Sequence, residues 1–287
     1  MFMVQRLIFN LAKRLKIKNP KFDVWSILVQ PVQRNILILC LLVAPVVLGG
    51  EMNAAADQRA MLIRLSQDFI YAVKTGEPTD QIEKQLGQVS MLQLVQSLTS
   101  DNQKKTFWIN LYNGWYQVFA LRNKLTKSSI FTYRGIKFSD FTLTLDEVEH
   151  GILRKYRAKY SLGYFAQMFP GKNVRALAVG VPDFRVHFAL NCGAKSCPPI
   201  AFYSEEKLDQ QLERAARGFL QGETKVDRDK KIVWVTRIMQ WFAADFGGKS
   251  GQLEVLSKYL GVDISGFEIR YQDYDWTPAL KNFAAEP

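Results

Sequence analysis

The 287-residue chain is short of the residues on which most enzyme chemistry turns. It has two histidines, His150 and His187, and three cysteines, Cys40, Cys192 and Cys197. It contains no G-x-S-x-G elbow, no phosphate-cradling P-loop, no dinucleotide fingerprint and no H-E-x-x-H helix. These absences remove the serine-elbow hydrolases, the nucleotide enzymes and the zincins, and the expectation is an activity without a cofactor. Internal repeats, low-complexity tracts and heptads are missing too, so neither a solenoid nor a coiled coil is expected.

The formal charge of +11 is concentrated at one end. Residues 1–35 hold seven Lys or Arg against Asp23, a balance of +6 that leaves +5 for the rest. Basic patches interleaved with aromatics are lacking, so the composition gives no argument for nucleic acid. Instead the basic flank precedes an uninterrupted apolar run of 13 residues, Ile36 to Leu48. That length suits a signal-peptide core or a signal anchor better than a full membrane span of about 20 residues. The flank repeats Phe2, Met3, Leu7, Ile8, Leu11 and Leu15 at helical spacing, a pattern suited to an anionic membrane surface. Keeping the basic flank inside predicts an exported body, membrane-anchored or periplasmic. The domain expectation is a basic flank over 1–35, a hydrophobic segment over 36–50, and one globular domain over 55–287. Cys40 lies in the apolar run and is expected to be inert.

Helical periodicity is clearest at 57–75, stopped by Gly76, and at Lys104 to Arg122. In the second, Trp108, Leu111, Tyr112, Trp115 and Phe119 make an apolar face, while Asn110, Asn113 and Gln117 make a second stripe. Those amides either anchor neighbouring backbone or line a site. Thr144 and Glu147 form a capping box opening a third helix. At about 100° per residue, Glu149 falls inside its apolar face and His150 falls off it. An inward Glu149 needs a partner, either an arginine (Arg154, Arg175 or Arg185) or a site role. Val174 to Val181 and Arg185 to Asn191 have the look of strands, as do Ile232 to Val235 and Ile269 to Tyr271. Helices are expected from Ser204 to Leu220, from Thr236 to Phe246, and up to Gly261. The fold class is α+β, helix-rich with a small, mostly antiparallel sheet.

The stretch VHFALNCGAKSCPP, residues 186–199, leaves three chemistries open. A thiol nucleophile would use Cys197 or Cys192, with His187 as base, Glu149 as orienter and Lys195 favouring the thiolate. On a straight strand Cys192 would lie roughly 16 Å from His187, so the pair meets only if the chain turns sharply. A zinc site would draw on both cysteines and both histidines, but the paired short spacing of zinc modules is missing, and no metal is expected. A Cys192–Cys197 disulfide closing a four-residue loop is the structural alternative for an exported chain.

Five ordered motifs suggest a family. FWINLYNGW at 107–115, LDEVEHGILR at 145–154, VHFALNCGAKSCPPI at 186–200, WVTRIMQWFAADFG at 234–247 and YDW at 274–276 resemble the family called domain of unknown function 547. The likeness spans about residues 85–280. It implies functional positions at Asn110, Tyr112, Asn113, Glu149, Arg154, His187, Cys192, Ser196 and Cys197. By analogy it also suggests a papain- or transglutaminase-like thiol mechanism on peptide or amide bonds, with a peptide or protein as substrate or partner. In this chain Thr277-Pro278-Ala279-Leu280 replaces the Ser-Leu-Asn that often follows Tyr-Asp-Trp. The competing function is a non-catalytic binding module with a disulfide-closed loop.

Overall fold

A computed structural model describes residues 56–285. The basic flank and the apolar run at 36–48 lie outside them, as does Cys40. No helix among the described residues is long and apolar enough to cross a membrane.

The fold is α+β and helix-rich, with small sheets. Four helices come first: α1 (56–75), α2 (Asp80–Leu86), α3 (Met91–Ser97) and α4 (Asp101–Leu121). Ser90 and Ser100 each accept from the backbone N–H three residues on, with Gln93 and Gln103 returning the bond to the cap N–H. These reciprocal boxes fix where α3 and α4 start. Helix α4 is buried on every side from Thr106 to Phe119, as befits the central element of a core. Gly114 lets Phe69 of α1 approach, because a Cβ there would stand 2.6 Å from the Phe69 ring.

A two-stranded antiparallel ribbon follows, β1 (Ile136–Lys137) with β2 (Thr142–Leu143). The Thr144–Glu147 capping box forms as expected: Thr144 N–H donates to Glu147 at 2.9 Å, and Glu147 N–H to the Thr144 hydroxyl at 3.0 Å. The helix it opens then widens into a π-helix over Glu147–Leu153, with Arg154 N–H donating to Glu149 C=O. Next come α5 (Lys172–Leu177), a 3₁₀ turn at Phe184–Phe188, α6 (Leu208–Glu223), β3 (Lys225–Asp227), β4 (Ile232–Val235), α7 (Arg237–Trp241), a second 3₁₀ turn at Ala243–Phe246, α8 (Gly248–Leu260) and β5 (Glu268–Tyr271). The three-stranded sheet has order β3-β4-β5, antiparallel then parallel.

Two of the expected strands are helical. Val174 to Val181 overlaps α5, and Arg185 to Asn191 overlaps the first 3₁₀ turn. The Asp183 carboxylate caps that turn by accepting from Arg185 N–H at 3.1 Å, a local bond that outweighs the alternating pattern. The helix expected from Ser204 begins at Leu208. The single sheet expected is two separate ones.

Two apolar clusters make the core. The larger surrounds α4 and takes in Val148, Ile152, Val186 and Leu190. The smaller joins α6, β4, α7 and α8 and takes in Phe188 and Phe246. Val186 faces one cluster and Phe188 the other, which leaves His187 at their junction.

Candidate functional site

At that junction opens a cavity of about 410 Å³ whose wall includes Tyr112, Glu149, His150, His187, Cys192, Trp241, Phe242, Tyr274 and Trp276. Most of this wall is apolar, with a few converging polar groups, the usual composition of a small-molecule site.

His187 stacks on Phe242 with ring centroids 3.9 Å apart, and its Nε2 lies 2.8 Å from Asp245 Oδ2. An ionised carboxylate only accepts, so Nε2 carries the proton and the lone pair of the neutral ring is on Nδ1. Burial pushes the His187 pKa below its ordinary value, although Asp245 pulls the other way. Asp245 is held to about 2 despite burial, by His187 and by Arg154, whose Nε donates to it at 2.6 Å. Arg154 Nη1 donates in turn to His150 Nδ1 at 2.8 Å, which places the His150 proton on Nε2. Burial likewise lowers the His150 pKa, against the pull of Glu149. A buried arginine thus links both histidines.

Glu149 stands beside this chain of contacts. Its Oε2 accepts from the Tyr112 hydroxyl at 2.8 Å. Its Oε1 lies 3.8 Å from His150 Nδ1, a nitrogen already accepting from Arg154, and takes no hydrogen bond from the described residues. Burial raises its pKa, but His150, Arg154 and the Tyr112 hydrogen bond outweigh burial, so the group stays ionised at neutral pH.

Cys192 and Cys197 form a disulfide, with Cα atoms 6.1 Å apart. The Tyr274 hydroxyl lies 3.2 Å from one sulfur and 3.1 Å from the other, and since a disulfide has no S–H, the phenol donates. Cys192 lines the cavity, whereas Cys197 sits behind it and accepts from Cys192 N–H at 3.0 Å. The loop is also stitched to the tail: Lys195 N–H donates to Thr277 C=O, Ala279 N–H to Gly193 C=O, and Asp275 N–H to the Ser196 hydroxyl. Through these bonds the Tyr274-Asp275-Trp276 motif reaches the cavity wall.

Several positions singled out in the sequence lie elsewhere. Asn110 exchanges two hydrogen bonds with the Tyr203 backbone, at 3.0 and 3.1 Å. Asn113 bridges Ala189 C=O and Asn191 N–H at 2.8 and 2.9 Å, and so fixes the chain just before Cys192. Gln117 accepts from Lys281 N–H. Of the three arginines weighed as partners for Glu149, none hydrogen-bonds it: Arg154 holds Asp245, Arg185 holds Asp183, and Arg175 stands in neither role. The orienting position beside His187 belongs to Asp245.

His150 is corrected outright. It was expected off the apolar face, yet it is 5% exposed and lines the cavity. The π-helix widens the turn, so successive side chains are separated by less than the roughly 100° of an α-helix, and residues 149 and 150 face the cavity together. Asp245 was missed. The available signal was an acidic residue inside the apolar run WFAADFGG. Among the described residues no group of three or more His, Cys, Asp or Glu could hold a metal ion.

Fold and site together define an α+β domain with an aromatic-walled cavity, a buried Arg–Asp–His network and a disulfide in its rim. The sequence model of one family, described as "Protein of unknown function, DUF547", matches residues 95–220, less than half of the chain. That stretch holds Glu149, His187 and both bonded cysteines, while Asp245 and Tyr274 lie beyond it. No curated protein and no solved structure matches the chain, so no solved structure supports a papain-like likeness.

Proposed function

We propose that this domain binds a small amine or other cation-bearing ligand in the aromatic-walled cavity, with its Cys192–Cys197 loop oxidised. The observation that carries this reading is Glu149: an ionised, largely buried carboxylate on the cavity wall with Oε1 free of donors among the described residues. Its charge is favoured by Arg154 nearby, yet no cation hydrogen-bonds Oε1: Arg154 is engaged by Asp245, and Lys159 answers Asp146 at 2.8 Å. Facing it, Trp241, Tyr274 and Trp276 pack with centroids 4.5 to 5.5 Å apart, a π-rich wall suited to a cation. The Lys127 ammonium already lies over the Trp276 ring. The closed loop and its stitched tail hold that wall in shape. We further propose an extracytoplasmic setting, where such a disulfide persists.

The test is calorimetric titration of the disulfide-intact protein with phenethylamine and, separately, with phenylacetate. These probes share an aromatic ring and differ in the sign of their charge. The expected result is binding of the amine alone. Equal binding of both, or binding of the acid alone, overturns the reading.

A second reading is favoured by one observation, that Cys192 and His187 line the same cavity. Once a dithiol reductant opens the disulfide, Cys192 would attack an amide carbonyl, His187 Nδ1 would take the thiol proton and return it to the leaving amine, and Asp245 would hold the ring. This requires alkylation of Cys192 after reduction to slow when His187 is replaced by Ala. An unchanged rate removes it.

A further inference from the structure

The connection after the π-helix is a second surface with a chemistry of its own. From His150 to Pro182 the chain has no Asp or Glu but carries Arg154, Lys155, Arg157, Lys159, Lys172 and Arg175. Within it, residues 156–167 form a tight hairpin-like loop. Ala158 N–H donates to Phe165 C=O at 2.9 Å, Gln167 N–H to Tyr156 C=O at 2.6 Å, and Phe165 N–H to the Ser161 hydroxyl at 3.3 Å. Gly163 has φ of +85° and no room for a side chain, since a Cβ there would stand 2.6 Å from Asp245 Oδ1, and Ala244 N–H donates to Leu162 C=O.

The outward residues of this pinned loop and its exit are large and apolar. Tyr160 is 92% exposed, Phe165 73%, Met168 84% and Phe169 88%. A cluster of that kind on a preformed loop marks a surface meant to be covered. Arg154 and Arg157 answer Asp245 and Lys159 answers Asp146, but aromatic and Met side chains at the tip beside the exposed Lys172 and Arg175 match the layered chemistry of a lipid interface. Rings seat at headgroup depth while cations meet anionic phosphates. Lys172 and Arg175 form no ion pair among the described residues, so their charge faces outward unspent.

We propose that residues 160–169 dock the domain onto an anionic lipid bilayer, with Tyr160, Phe165, Met168 and Phe169 entering the headgroup region and Lys172 and Arg175 contacting phosphates. This is independent of what the cavity binds. One consequence follows from position: Tyr160 and Lys159 also line the cavity, so docking brings its mouth to the lipid surface.

The test uses the full chain with Cys40→Ala and the disulfide kept, carrying Met168→Cys labelled with a nitrobenzoxadiazole fluorophore. It is reconstituted into phosphatidylglycerol–phosphatidylethanolamine vesicles or phosphatidylcholine vesicles. A Lys230→Cys label, on an exposed turn elsewhere, is the control. The expected result is a blue-shifted emission at 168, quenched by doxyl-labelled lipid, in the anionic vesicles only. The label at 230 stays in water. Lys172→Gln with Arg175→Gln weakens the immersion, on the order of tenfold, and leaves the fold intact because both side chains are exposed. A label at 168 that stays in water in anionic vesicles, or that is immersed no more than the one at 230, overturns the proposal and marks the patch as a protein contact.

Discussion

His187 Nε2 and Asp245 Oδ2 stand 2.8 Å apart, across 58 residues of sequence, with Arg154 on the carboxylate's other side. Arg154 and Asp245 have side chains 1% and 3% exposed, so neither charge can be met by water. Asp245→Asn leaves a buried guanidinium uncompensated and is expected to cost about 3–5 kcal/mol. Urea unfolding measures this directly. A loss below about 1 kcal/mol would show the charges to be solvated.

Acid should weaken the fold through the same network. The folded-state pKa values of His150 and His187 lie below the ordinary 6.5, so the unfolded chain binds protons more readily. Their contribution is complete above pH 6.5 and drains away as pH falls below it. Asp245, at about 2 against an ordinary 3.8, adds a second loss between those values. Thermal unfolding should therefore shift down by several degrees between pH 7 and 5, at roughly 2–4 °C per kcal/mol for a chain of this size. A flat profile over that range would contradict neutral, buried histidines.

The loop chemistry can be counted. Alkylation followed by mass spectrometry should label Cys192 and Cys197 only after reduction. Replacing both by Ser removes the cross-link of a short loop, worth about 2 kcal/mol in the chain-entropy picture. Labelling of either residue without reductant would mean that the native loop is open.

The amide stripe on α4 should behave as scaffold. Asn113→Ala orphans Ala189 C=O and Asn191 N–H, two buried groups, at a cost of about 2–4 kcal/mol. Amine affinity in the protein that remains folded should stay within about threefold of the parent. A large affinity loss with unchanged stability would instead make Asn113 a ligand contact.

Much of this arrangement was legible because it is written locally. The Thr144–Glu147 box, the Gly76 and Gly261 stops and the apolar face of α4 each depend on residues within a turn or two. The two amide readings of Asn110 and Asn113 could be posed from spacing, but only the opposing backbone at Tyr203 and Ala189 decides between them. Residues 185–191 alternate as a strand would, yet the Asp183 cap holds Phe184–Phe188 in a 3₁₀ turn and the Asn113 bridge fixes the chain just after it. The π-helix escaped because a fixed angle per residue cannot register a widened turn, and with it went the inward placement of His150. Asp245 was missed because its partner lies 58 residues earlier.

The role assigned to Glu149 is tested most directly by titrating phenethylamine into Glu149→Gln and the parent, both with the disulfide intact. Gln keeps an oxygen able to accept from Tyr112, so only the charge is removed. Affinity should fall at least roughly tenfold with thermal stability preserved. An unchanged affinity in a folded Glu149→Gln protein would contradict the cation site.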